Sequence, residues 1–189
     1  MMGMASENTR TRLITAARQL FALHSFAGTS LQMIADRLGV TKAAVYHHFK
    51  TRDEILGAVI EPALDEMRAL ITDAEGRRGF HAQAERMLTG FVELTVRHRD
   101  LILLLASDPG VANTLHTRED IGELLARPGE LLARDPLDPA DRIRATVALS
   151  GVATTSASVL LADVDDETLR TVLIDIGHRI LGLRRRTAH

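Results

Sequence analysis

Apolar residues recur along this chain at three- and four-residue steps, and no stretch alternates at period two. Pro and Gly fall mostly between the periodic segments. The spacing predicts helices throughout. A first helix is predicted at about 9–24, with Leu13, Ala17, Leu20 and Phe21 on its inner face. Two short helices follow, at about 31–38 and 42–49. Ile34, Ala35 and Leu38 face inward on one, and Val45 and Phe49, four apart, share a face on the other. Ser30 and Thr41 precede these helices, where a hydroxyl accepts from an otherwise orphaned backbone N–H. Gly39 supplies the turn between them, because a residue without Cβ takes positive φ cheaply, and Val40 plugs it.

Asp53 and Glu54 favour the start of a longer helix by complementing its dipole. Its apolar positions run from Ile55 to Ile71, and Pro62 within it predicts a kink. Residues 75–79 read as a loop. Further helices are predicted at about 80–98 and 101–106. Asp108-Pro109-Gly110 predicts a break, and the 111–132 segment is cut by Pro128 and Gly129. Asp138-Pro139 predicts the start of a long helix to about 162, since proline suits a first turn. Asp165 or Asp166 would cap the last helix. There Leu169, Val172, Ile176, Ile180 and Leu183 form one apolar stripe.

Residues 28–56 carry the most chemistry. Two short helices joined by a glycine turn have the spacing of a DNA-binding helix-turn-helix, whose second helix docks in the major groove. Its outward face carries Lys42, Ala43 and Tyr46, with His47 near the edge; Lys50 and Arg52 follow as phosphate partners. LQMIADRLGVTKAAVYHHFKTRDEIL resembles the N-terminal signature of TetR-family transcriptional regulators, and the preceding RTRLITAARQLFALHSFAGTS fits the same family's first helix. The match covers about residues 10 to 57. The rest of the chain fits the family only in length and helical character.

The resemblance implies an all-α protein. A three-helix DNA-binding domain (1–54) would precede a helical effector-binding and dimerisation domain (55–189). Its implied function is ligand-responsive regulation of transcription, by default repression. A homodimer would bind a palindromic double-stranded operator and be released by a small-molecule effector. The candidate DNA contacts are Ser30, Gln32, Thr41, Lys42, Ala43, Ala44, Tyr46, His47, His48, Lys50 and Arg52. Each has a plainer reading: Lys42 and Gln32 as solvated side chains, Tyr46 as a half-buried phenol. Val45 and Phe49 already fill the inner face, which favours contact for Tyr46. The resemblance makes Tyr46 and His48 DNA contacts. Ala43 and Ala44 stand where the family often has glycine and threonine. A hydroxyl donor is thereby lost, although a methyl can still touch thymine.

The net charge of −2 suits a nucleic-acid binder poorly, but its distribution is uneven. Residues 1–57 hold seven Lys or Arg and four acids, a balance of +3, so residues 58–189 sum to −5. Cysteine is absent, which excludes disulfides and thiolate chemistry and suits a reducing cytoplasm. No charged-then-apolar leader pattern opens the chain. Residues 145–162 are uncharged, but six Ser and Thr, with Ala and Gly, argue for a helix buried on nearly all sides within protein rather than a membrane span. Small residues Ala148, Gly151 and Thr155 allow close helix approach. The 138–162 and 166–183 helices are accordingly expected to form a homodimer interface; their alternative is completion of a monomer core.

Pocket chemistry is weakly constrained. Aromatics are 3% of the chain, so a pocket would be largely aliphatic, with Met67, Phe91, Leu94 and Leu104 as candidates. Thr95, His98, Asn113, His116, Ser150 and Thr154 are candidate polar contacts; the alternative for each is a surface or locally satisfied group. In the family, pocket occupancy shifts the helix after the motif; here that helix contains Pro62, either a hinge or a passive kink, and its movement is expected to spread the two DNA-reading heads. Arg184-Arg185-Arg186 would complement the last helix dipole. No cofactor or metal is implied: adjacent His47 and His48 point about 100° apart and no HExxH occurs. No enzyme motif is present. The rival reading is a helical protein-interaction module without sequence-specific DNA binding. It accounts for the near-neutral charge but not for the Lys42–Tyr46–His48–Lys50–Arg52 face.

Overall fold

The computed structural model describes residues 2–107, 111 and 119–183, with side chains from residue 8 onward except at 106–107 and 119–120. Among the described residues the regular structure is helical. The elements are α1 (Met2–Gly28), α2 (Leu31–Leu38), α3 (Lys42–His48), α4 (Arg52–Glu75), α5 (Phe80–Arg97), α6 (Arg99–Ser107), α7 (Glu119–Leu132), α8 (Pro139–Ser156), a 3-10 turn (Val159–Leu161) and α9 (Asp166–Leu181). Asn113, His116, the Asp108–Gly110 break and Arg184–Arg186 lie outside the described residues.

α4 runs through Pro62, as its apolar positions predict, and ends at Glu75. Other boundaries differ from those the sequence predicts. α7 also runs through Pro128, which is buried, and Gly129. Packing of that turn outweighs the lost N–H. α8 stops at Ser156 rather than near 162. There Ser156 Oγ donates back to the Val152 carbonyl at 2.7 Å and the Ser158 hydroxyl caps the next turn by accepting from Leu160 N–H. Such hydroxyls offer the backbone alternatives to the helical ladder.

The chain divides into two compact units. One comprises Met1–Pro62 with Leu104–Thr117, the other Ala63–Leu103 with Arg118–His189. In the first, the interior is built by Leu13, Ala17, Leu20, Phe21, Ile34, Ala35, Val45 and Phe49, all buried, as their spacing predicts. Phe21 and Phe26 meet edge to face at 5.2 Å. α1 is bent near its end, because Ser25 leaves the helical region at φ 64, ψ 166.

In the second unit, α5 is the central element, packed against α7, α8 and α9. Met87, Leu88 and Val92 on α5 meet Ala145, Ala148 and Val152 of α8 and Leu169 and Leu173 of α9 in one cluster. α9 comes close because residue 177 is glycine: a Cβ there would lie 2.5 Å from Leu88 Cδ1. The apolar stripe predicted on α9 splits. Leu169 and Leu183 are buried, Ile180 is half-buried, and Val172 and Ile176 stay exposed, with Leu173 taking the inner position. α8 is not buried on nearly all sides. Ala145, Ala148, Val152 and Ser156 face the core, while Ile143, Val147, Ser150, Gly151 and Thr154 are exposed.

Candidate nucleic-acid interface

Local hydrogen bonding fixes the helix-turn-helix to the residue. Ser30 Oγ accepts from Met33 N–H at 3.1 Å and Thr41 Oγ1 from Ala44 N–H at 3.2 Å, so both predicted caps exist. Gly39 takes the left-handed conformation at φ 64. Its N–H donates to the Asp36 carbonyl and that of Val40 to the Ala35 carbonyl, closing the end of α2. α3 ends one residue before the predicted limit: Phe49 is extended and plugs the core while its N–H donates to Val45.

Around buried Val45, the outward face of α3 is open. Lys42, Ala43, Tyr46 and His47 are exposed, whereas Ala44 and His48 are half-covered. Lys42 Nζ lies 5.6 Å from the Tyr46 ring centroid, a cation–π contact that presents the two together. A groove of about 320 Å³ separates this face from the start of α2; Ser30, Gln32, Lys42 and Tyr46 line it. Gln32 Nε2 donates to Asp36 Oδ1 at 2.7 Å, an i, i+4 pair that holds the amide along α2. His47 and His48 stack edge to face at 5.2 Å.

Two cations after α3 are engaged inside the unit. Lys50 Nζ donates to the Tyr46 carbonyl at 2.5 Å and so covers the end of α3. Arg52 turns to the end of α1, donating to the carbonyls of Phe26, Ala27 and Thr29. The start of α4 has a capping arrangement that the sequence reading passed over. Thr51 Oγ1 accepts from Glu54 N–H at 3.1 Å while the Glu54 carboxylate accepts from Lys50 N–H at 2.7 Å. Its T-x-x-E signal stands in the sequence.

The described candidate ligand residues do not share one surface: some are buried and others exposed. Met67 is buried in the core of the second unit, and Phe91 packs at its edge. Thr95 is sealed, donating to the Val92 carbonyl and accepting from Ser156 Oγ at 3.1 Å. His98 Nε2 is 3.1 Å from Glu66 Oε1. Ser150 and Thr154 are exposed, with Thr154 bonded back to the Ser150 carbonyl. Instead, a cleft of about 640 Å³ opens along α5 and α9, lined by Arg77, His81, Glu85, Arg86, Thr89, Ile174 and His178. His178 Nε2 lies 2.6 Å from Glu85 Oε2. The nearby Asp73 carboxylate accepts from Arg86 and Arg77, which together hold its carboxyl below the usual range. Periodicity could not have pointed to this cleft, because its lining depends on which face of α9 meets α5.

A family model described as "Bacterial regulatory proteins, tetR family" matches residues 13–59, which includes the whole of α2 and α3. The chain is 31% identical to the HTH-type transcriptional regulator UidR of Escherichia coli over 94 residues, 50% of this chain and 46% of UidR. It is 30% identical to the HTH-type transcriptional activator FasR of Mycolicibacterium smegmatis over 84 residues, 42% of this chain and 38% of FasR. The aligned part thus spans less than half the length of these curated relatives. Among solved structures, a tetR-family regulatory protein from Rhodococcus RHA1 superimposes with a TM-score of 0.71. At 18% identity the match covers 93% of this chain and 97% of that one. Residues 13–59 are a tetR-family segment, and the chain has the fold of that family's solved structures. The ketosteroid transcriptional regulator KstR2 of Mycobacterium tuberculosis shares the fold, with a TM-score of 0.62 at 18% identity over 92% and 93% of the two chains. Among the described residues no helix is long and apolar enough to cross a membrane.

Proposed function

We propose that this protein is a ligand-responsive transcriptional repressor of the tetR family that binds a palindromic operator as a homodimer. The observation that carries the reading is the outward face of α3. Lys42, Ala43, Tyr46 and His47 stand exposed on a short helix whose opposite side is pinned by buried Val45. A capped helix with a cation, a methyl, a phenol and an imidazole outward can meet phosphates and base edges together. We read residues 1–54 as the DNA-binding part and 55–189 as the effector-binding and dimerisation part. Exposed Ile143 and Val147 on α8, with Val172 and Ile176 on α9, support a second copy docking on these helices. An effector that binds one conformation better than the other would shift α4 and release the operator; equal affinity for both would shift nothing. The α5–α9 cleft offers it room.

Binding is measured on duplexes selected from random DNA, across a salt series, with Tyr46→Ala beside wild type. The expected result is selective binding that weakens steeply with salt and about tenfold or greater loss in the variant, the scale of one good contact. Weak binding, equal on all sequences and indifferent to Tyr46, would favour a protein-interaction role.

A further inference from the structure

Sequence places Arg52 among the phosphate contacts; in the structure its side chain reaches the end of α1. Nη1 donates to the carbonyls of Phe26 at 3.0 Å, Ala27 at 2.8 Å and Thr29 at 2.9 Å. The guanidinium also lies over the Phe26 ring, 5.1 Å from its centroid. The last carbonyls of a helix have no following turn to bond, and a planar guanidinium gathers several acceptors where an ammonium acts as a point charge.

The same few residues carry backbone strain. Ser25 is the non-glycine residue at positive φ among the described residues. Its pair φ 64, ψ 166 falls in a region confined almost wholly to glycine. Such a conformation persists only where its surroundings over-determine it. Two local bonds contribute: Gly28 N–H donates to Ser25 Oγ at 3.1 Å and Thr29 Oγ1 to the Ser25 carbonyl at 2.8 Å. Arg52 adds the constraint from outside the turn, reaching back from the first residue of α4. Ser30, the cap of α2, follows directly.

We propose that Arg52 is a positioning residue for DNA binding. It locks the 25–29 turn and thereby sets how α2 and α3 leave α1, rather than touching phosphate itself. The proposal rests on the DNA-binding reading above. A phosphate contact and a clamp differ in what lysine can replace. Lysine keeps the charge and therefore the counterion release, but loses the planar group that lies over Phe26.

The test uses the full chain as wild type, Arg52→Lys, Arg52→Gln, Ser25→Gly and the Ser25→Gly/Arg52→Gln double variant. Affinity for a duplex selected from random DNA is measured across a salt series, and each protein is melted thermally. A clamp predicts that Arg52→Lys and Arg52→Gln both lose about tenfold or more at every salt concentration, with slopes parallel to wild type. It also predicts that Ser25→Gly, by relieving the strain, restores at least threefold to Arg52→Gln. Near-wild-type affinity in Arg52→Lys, with a slope reduced by about 0.9 in Arg52→Gln, would overturn the proposal in favour of a phosphate contact. Unchanged affinity in Arg52→Gln would overturn it too. Should Arg52→Gln fail to fold, the Arg52→Lys pair, with and without Ser25→Gly, carries the same comparison. Should wild type bind no DNA, the functional reading fails and the clamp is judged on melting alone. A larger rise in Tm from Ser25→Gly in the Arg52 variant than in wild type supports it, and additive shifts sink it.

Discussion

At Ser25 the backbone sits where a Cβ is disfavoured, and the consequence is testable in isolation. Relief of such strain is worth about 1–3 kcal/mol. Against it stand a lost hydroxyl cap, a few tenths when glycine replaces serine, and the entropy of a freer unfolded chain, about 0.4–1 kcal/mol. Ser25→Gly is therefore expected to stabilise the protein by about 1 kcal/mol, raising Tm by a few degrees. Ser25→Ala keeps the strain, loses the bond to Gly28 and should lower it. A melt in which glycine destabilises as much as alanine would show the turn to be unstrained. Residue by residue, the sequence disclosed the caps at Ser30 and Thr41 and the exposure of Tyr46, since these follow from neighbours three and four positions away. It could not disclose the partners of Arg52, which lie 23 to 26 positions back in the chain. The missing hydroxyl at Ala43 and Ala44 leaves only methyl groups at the entry to α3, one fully open and one half-covered.

Elements were readable wherever their ends carry local chemistry. α2 begins and ends where Ser30 and Gly39 place it, and α9 begins at its Asp165 cap. The continuity of α7 through Pro128 and the end of α8 were not legible, because Pro128 is tolerated by burial and because Ser and Thr hydroxyls bond back to the helix. Asp165 makes the start of α9 sensitive to acid. Its carboxylate accepts from Thr168 N–H first, then the Thr168 hydroxyl and Glu167 N–H, and these bonds hold its carboxyl below the ordinary value. A depressed folded value means that the cap contributes fully above the unfolded pKa, near 4, and loses its contribution as pH falls through the folded one. Asp165→Asn keeps an acceptor without the charge, so its Tm between pH 5 and pH 2 should fall less than that of wild type. Parallel acid limbs would remove Asp165 from the account. The packing of α9 gives a second check. Gly177→Ala gains about 1 kcal/mol of helix propensity, but its Cβ would meet Leu88 Cδ1 at 2.5 Å and Cδ2 at 2.9 Å. Leu88 is wholly buried, and its Cγ would also lie 3.2 Å away, so the whole side chain must shift within the core. Overpacking of this kind costs about 1–3 kcal/mol, so a net fall in urea midpoint is expected, and a rise would mean that α5 and α9 separate easily.

Charge and exposed apolar surface act at the scale of the whole molecule. The positive balance of the first 57 residues against a negative remainder confines phosphate attraction to the helix-turn-helix end and limits indiscriminate adhesion. One helix-turn-helix reads a short stretch of sequence; two half-sites one helical turn apart need two copies held in fixed relation. The exposed side chains Ile143, Val147, Val172 and Ile176 lie on α8 and α9, whose other faces are already committed to the core, so a second copy is the occupant that serves the proposed function. Placing carboxylates there separates dimerisation from folding, because these side chains are exposed on the folded chain. Ile143→Asp/Val172→Asp would bury four unpaired charges in a symmetric interface, each at a penalty of several kcal/mol. The double variant is therefore expected to sediment as a monomer at concentrations where wild type is a dimer, with an unchanged helical spectrum. Affinity for a palindromic duplex should then fall at least hundredfold, about 3 kcal/mol, towards that for a single half-site, where wild type and variant should agree. A variant that remains dimeric would place the interface elsewhere. A monomeric variant that retained full palindrome affinity would instead show that one copy suffices, leaving the apolar faces of α8 and α9 with a role apart from DNA.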